Sequence, residues 1–139
     1  MIVEDGFVLG VGVMVKNLSG RVAVATRTDG QGVCLAGGKV EEGESLLVAA
    51  SRELKEEFGI DALSLVYCSS TKSEAVVSGE LRKVRSHLFV CDNWEGDFEL
   101  NPEEMKNLQW LSLGEILSRE DIFPPTREVL NSYIRRGGK

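Results

Sequence analysis

Histidine occurs once in this chain, cysteine and proline three times each, and the 16 lysines and arginines are outnumbered by 22 aspartates and glutamates. Each shortage excludes something. Cys34, Cys68 and Cys91 stand far apart, without the paired spacing of metal-ligating cysteines, and a reduced, cytoplasmic setting is expected. A net charge of −6 and an isoelectric point near 4.9 leave no basic footprint for duplex nucleic acid or an anionic membrane. No apolar run approaches the roughly 18 residues of a membrane span. Acidic Glu4 and Asp5 precede the first apolar run, so no signal peptide is expected. Internal repeats and low-complexity tracts are absent. The lone His87 lies in an alternating strand pattern, where a packed or rim histidine is the expectation.

What the chain does have is enough apolar material, 42% of 139 residues, for one domain over residues 1–139 with its own core. Phe7 to Lys16 and Arg21 to Thr26 are β-rich runs separated by Asn17 to Gly20, and this pattern predicts a hairpin. A turn at Thr28 to Gly32 and a short apolar segment, Val33 to Leu35, lead to Gly37. Two long strands are predicted at Ala62 to Ser70 and Leu81 to Cys91, joined across polar residues Thr71 to Glu80. An acidic loop follows from Asp92 to Lys106, then a strand at Leu108 to Leu111, a helical turn at Gly114 to Arg119 and a closing helix from Pro124 to Arg136. Strands interleaved with two helices predict an α/β fold with a mixed sheet covered on both faces.

The stretch GKVEEGESLLVAASRELKEEFGI, Gly38 to Ile60, organises the rest. A helix is predicted from Ser45 to Phe58, capped by Gly59. At about 100° per residue, Glu53, Glu56 and Glu57 share an arc of about 100°, beside a packing stripe of Leu47, Ala50, Leu54 and Phe58. Like charges at these spacings repel, so a positive partner is expected among them. Three hard oxygen ligands on a rigid scaffold suit Mg²⁺, with Mn²⁺ equally acceptable to such donors. A polyphosphate substrate would also need cations to approach so acidic a chain. Gly37 and Gly38 permit the close approach of a loop around a phosphate or metal, and Glu44 falls at the helix N-terminus, where the dipole favours negative charge.

Gly38, Glu44, Arg52, Glu53, Glu56, Glu57 and Gly59, with aliphatic Leu54 and Ile60, reproduce the full signature of the Nudix hydrolase family. Seven fixed identities at set spacing arise by chance on the order of 10⁻⁸ per start site. The chain resembles that family, and its outer motifs, Trp94-Glu95-Gly96, Trp110 to Leu113 and Phe123-Pro124-Pro125, resemble the MutT-like members.

That resemblance implies the Nudix fold, an α/β/α sandwich with a mixed β-sheet, and hydrolysis of a nucleoside diphosphate linked to another group. It implies that Glu53, Glu56, Glu57 and the Gly38 carbonyl hold the metal, and that Glu44 pairs with Arg52 to lock loop to helix. The general base is expected at Glu57 or at Glu104, which neighbours Glu103. Gly37, Lys39, Arg27 and Arg127 are the expected substrate-binding residues. A small nucleotide is the expected partner, with the protein a monomer or homodimer. Nucleoside triphosphate cleavage to monophosphate and pyrophosphate is the leading reading. The alternatives are an ADP-ribose or nucleotide-sugar pyrophosphatase and a non-catalytic nucleotide sensor. Two departures stand out, the first touching only the tightness of the loop and the second the specificity for the base. Ala36 stands where the family commonly has proline, and Arg127 stands where MutT enzymes that read oxidised guanine have asparagine.

Overall fold

The computed structural model describes residues 1–138. Its main sheet is built on β2 (Phe7–Val15), which is flanked on one side by β8 (Glu80–Cys91) and on the other by β1 (Val3–Glu4) and β5 (Ala36–Lys39). The β2–β8 pair is parallel, from Val8 opposite Val84 to Val15 opposite Cys91, and the remaining pairs are antiparallel. β7 (Val66–Val77) forms the outer edge beside β8. A second sheet is ordered β10 (Met105–Leu111), β3 (Val22–Arg27), β4 (Val33–Cys34). A short pair joins β6 (Asp61–Ala62) to β9 (Trp94–Glu95).

Strand alternation sorts the core into two layers. Leu9, Val11, Val13 and Val15 of β2 pack with Ala50, Leu54 and Phe58 of α1 (Leu46–Phe58). Met14 and Leu88 face the other way and pack with Val129 and Leu130 of α3 (Pro124–Arg135) and Ile116 of α2 (Leu113–Leu117). The mixed sheet thus lies between helices, as expected.

Three expectations change. β2 and β3 do not form a hairpin. Beyond a Lys16–Val22 bridge and the Asn17 N–H bond to the Arg21 carbonyl they share no ladder: β8 runs along one side of β2 to Val15, and β5 takes the other from Gly10 to Val13. Thr71 to Val77 is strand rather than connection: its polar residues pair with β8 down to a two-residue turn at Ser78-Gly79. Leu47, placed on the packing stripe by its angle, is 51% exposed, since burial of α1 begins only at Ala49.

α1 has clear local causes. Ser45 caps it by accepting the Val48 N–H at 3.1 Å, and Gly59 ends it in the left-handed region at φ 77°, its N–H donating to the Lys55 carbonyl.

Candidate active site

The glycine pair lies in a strand, not a loop. Gly37 sits opposite Gly12 and Gly38 opposite Val11. A side chain at Gly38 would place its Cβ 2.6 Å from the Glu53 carboxylate, so α1 can seat that acid directly on β5 only because residue 38 is glycine. Next to it, the Gly37 N–H donates to Glu57 Oε1 at 2.6 Å. Since N–H and C=O of one strand residue point the same way, the outward-facing carbonyl is that of Gly37. The Gly38 oxygen is turned toward β2, 3.3 Å from where a Cβ on Gly10 would lie. Of the two, it is thus the Gly37 oxygen rather than the expected Gly38 oxygen that lies outside the β2–β5 ladder.

Glu53 and Glu57 therefore sit within the buried arc of α1, 8% and 4% exposed, rather than beside it. Burial raises the Glu57 carboxyl to about 9, against the Gly37 hydrogen bond and helped by the charges of Glu53 and Glu104. Burial likewise raises Glu53 to about 7, against its bond to Arg52. Glu56 differs: its side chain is 53% exposed and turns to Arg52 at 3.2 Å.

Arg52 is the cation of the chain itself that reaches Glu53 and Glu56. Its guanidinium donates to both Glu44 oxygens at 2.6 and 2.8 Å, to Glu53 at 2.8 Å and to the Lys39 carbonyl at 3.0 Å. Glu44 also accepts the Glu41 N–H at 2.8 Å, and hydrogen bonding to Arg52 lowers its carboxyl to about 2. Loop, strand and helix are thereby locked together. Arg52→Lys should lower the melting temperature by several degrees and turnover at least about tenfold, because an ammonium cannot reproduce the planar fork. Thermal unfolding and steady-state rates check this, and wild-type values for both would remove Arg52 from the lock.

Glu104 comes from a segment that caps the end of α1. Glu99 and Asn101 donate their N–H groups to the carbonyls of Phe58 and Glu57, and the Glu104 carbonyl accepts the Thr28 N–H at 3.0 Å. Beneath this segment, Trp94 stacks on Trp110 at 5.9 Å between centroids, with Phe98 edge-on to both. Glu104 thus stands near enough to Glu57 to help raise its carboxyl. Glu103 lines the same cleft, and its carbonyl accepts the Thr28 hydroxyl at 2.7 Å.

Glu53, Glu57, Glu103 and Glu104 line a cleft of about 360 Å³. Gly10 and Gly12 form part of its floor, Val129 and Thr126 an inner wall, and Arg27 and Lys39 its polar rim. Arg27 is held by Asp29, with bonds of 2.6 to 3.2 Å, and lies 4.1 Å above the Phe123 ring. Arg127 stands apart: its guanidinium donates to the carbonyls of Leu117 and Arg119 and ties α3 to the preceding loop. His87 accepts or donates at 2.9 Å with the Tyr67 hydroxyl, away from the cleft. The sequence reading missed Thr126, whose hydroxyl accepts the Leu35 N–H, and Ser86, only 6% exposed in the cleft wall.

Among the described residues, no three His, Cys, Asp or Glu side chains converge closely enough to enclose an ion as they stand. The donor set nevertheless suits a hard divalent cation. Glu53 and Glu57 are buried side by side, with Arg52 bonded to Glu53, and Glu56 stands exposed beside them, so a divalent ion would find hard oxygen donors and offset their charge.

The sequence pattern of the NUDIX domain family matches residues 6–133. An uncharacterized Nudix hydrolase of Yersinia pestis is 32% identical over 134 residues, covering 91% of this chain and 71% of that one. An oxidized purine nucleoside triphosphate hydrolase of Danio rerio is 39% identical over 80 residues, 58% of this chain and 49% of its own. The crystal structure of the MutT protein from Methanosarcina mazei Go1 covers 99% of this chain and 100% of its own with a TM-score of 0.75 at 24% identity, a likeness of fold. With the helix acids, the glycine strand and the Arg52 lock all in place, the chain belongs to the Nudix hydrolase family.

Proposed function

We propose that this hydrolase cleaves a nucleoside triphosphate to the monophosphate and pyrophosphate. The observation that carries the reading is the cleft itself. Buried acids Glu53 and Glu57 line it together with Glu104, and on the neighbouring strand Gly10 and Gly12 carry no side chains to fill it, which leaves room for a nucleotide. The partial likeness to an oxidized purine nucleoside triphosphate hydrolase supports the same substrate class.

Glu53, Glu56, Glu57 and the Gly37 carbonyl would hold divalent cations, which we take to be Mg²⁺. When bound, they supply charge neutralisation of the phosphates and acidify water. The chain's own residues do the positioning. Glu57 is fixed by Gly37 and Glu53 by Arg52, and Lys39 and Arg27, which line the cleft, would meet the phosphate oxygens. Glu104 serves as general base: it takes a proton from the attacking water as the oxygen bonds to phosphorus and the bridging P–O bond breaks. Glu57, held in the helix, is better suited to hold charge than to move a proton. The three cysteines, Cys34, Cys68 and Cys91, are unpaired and fit a cytoplasmic protein.

A nucleotide panel with Mg²⁺, read as released pyrophosphate, tests the proposal. Triphosphates should turn over with a 1:1 yield of monophosphate and pyrophosphate. Cleavage of ADP-ribose or a nucleotide sugar beside inert triphosphates would replace this substrate class with the other.

A further inference from the structure

The β7–β8 hairpin runs past the sheet that supports it. β2 pairs with β8 only from Val84 onward, so the four rungs from Glu74–Lys83 to Val77–Glu80 lack a β2 neighbour. A two-stranded ribbon of that kind is marginal by itself. Yet this overhang forms part of the cleft: Ala75, Val76, Val77 and Ser78 line it.

Something must therefore fix the tip, and the free edge of β7 shows what does. The Gln31 side-chain amide lies against the Val76 backbone. It accepts the Val76 N–H at 2.9 Å through Oε1 and donates to the Val76 carbonyl at 3.0 Å through Nε2. One side chain thus satisfies both outward groups of an edge residue, as a neighbouring strand would. The same Nε2 donates to Asp29 at 2.9 Å, and Asp29 grips Arg27 with bonds of 2.6 to 3.2 Å. On the other side of the tip, Lys39 Nζ reaches the Ser78 hydroxyl at 3.4 Å. A continuous chain, Arg27–Asp29–Gln31–Val76, joins the cation on the rim to the hairpin wall.

We propose that Gln31 is a positioning residue for the substrate cleft: its amide clasps the edge of β7, holds the hairpin tip as a wall, and couples that wall to Arg27 through Asp29. It touches neither the helix acids nor the Glu104 segment. Its loss should therefore weaken substrate capture and leave the chemical step alone. The catalytic part of this inference rests on the function proposed above; the clasp does not.

Gln31→Glu is the discriminating variant. It is nearly isosteric, keeps an acceptor for the Val76 N–H, and lacks the donor that bridges Asp29 and the Val76 carbonyl. It also sets a carboxylate against Asp29. Gln31→Ala removes all three side-chain bonds, two to Val76 and one to Asp29. Amide hydrogen exchange on the substrate-free protein should show the Val76 N–H exchanging at least about tenfold faster in Gln31→Ala, with exchange at Leu88 to Val90 unchanged. In both variants KM for the cleaved triphosphate should rise about three- to tenfold, with kcat within about twofold of wild type. Unchanged exchange at Val76 in Gln31→Ala would overturn the clasp. Faster exchange with an unaltered KM, or a fall in kcat at constant KM, would overturn the coupling to the cleft. A wild type inert toward every triphosphate would sink the proposed function, while the exchange comparison would still decide the clasp.

Discussion

Replacing Glu57 by glutamine is expected to cut turnover by orders of magnitude while making the metal-free protein more stable. The Glu57 carboxyl is 4% exposed and raised by burial to about 9, from an ordinary value of 4.5. Across that window the folded protein keeps a proton that the unfolded chain releases. Stability therefore falls as pH rises from about 4.5 toward 9. Glu53 adds a loss of the same sign between 4.5 and about 7. Glutamine is neutral at every pH, and its oxygen can still accept the Gly37 N–H, so the variant escapes the Glu57 share of this loss. A divalent cation acts in the opposite sense: it binds the ionised acids, expels their protons and restores stability. In thermal unfolding without metal at pH 8, Glu57→Gln should melt several degrees above wild type. Mg²⁺ should raise the wild-type melting temperature more at pH 8 than at pH 5, and move the variant little. Glu56→Gln, at an exposed position, should lose turnover without gaining stability. A Glu57→Gln protein that turned over normally, or that melted below wild type at pH 8, would contradict the role given to this acid.

That trade between stability and charge explains how far the sequence could be read. The helix, its caps and the identity of its acids were legible because they depend on neighbours within a turn or two: Ser45 before the apolar run, Gly59 after Phe58, and Glu53, Glu56 and Glu57 at their spacings. The Glu44–Arg52 pair was legible through the family signature. What the angles concealed was depth. An arc computed from periodicity placed the carboxylates beside the packing stripe, but β5 presents glycine where another strand would present side chains, so Glu53 and Glu57 sink into the core face. The β2–β3 hairpin failed for a related reason. Local turn chemistry at Asn17 to Gly20 is real, with the Asn17 carboxamide accepting from Ser19 and Arg21. Partner choice, however, was decided by β8, more than sixty residues away. Gln31 carried no signal at all, because its role exists only once β7 arrives beside it.

Alanine at Gly37 and alanine at Gly38 should fail in opposite ways, although the residues are adjacent. A Cβ at Gly37 would fall inside contact distance of the Val11 carbonyl oxygen and 3.1 Å from the Gly12 Cα, both backbone atoms of the central strand. Neither can move without opening the β2–β5 ladder. Gly37→Ala should therefore cost about 3 kcal/mol of folding stability, which denaturant unfolding would measure. At Gly38 the obstruction is the end of a side chain, the Glu53 carboxylate at 2.6 Å, which can swing away. Gly38→Ala should keep a cooperative fold and, by removing Glu53 from its seat, lose at least about tenfold in turnover along with most of the stabilisation by Mg²⁺. The metal-free variant should not share the Glu57→Gln gain, since Glu57 stays buried against Gly37 and its raised carboxyl is untouched. If Gly38→Ala proved the more destabilised of the two, or kept its full response to Mg²⁺, then Glu53 would not owe its position to the bare backbone of β5, and the glycine pair would need another explanation.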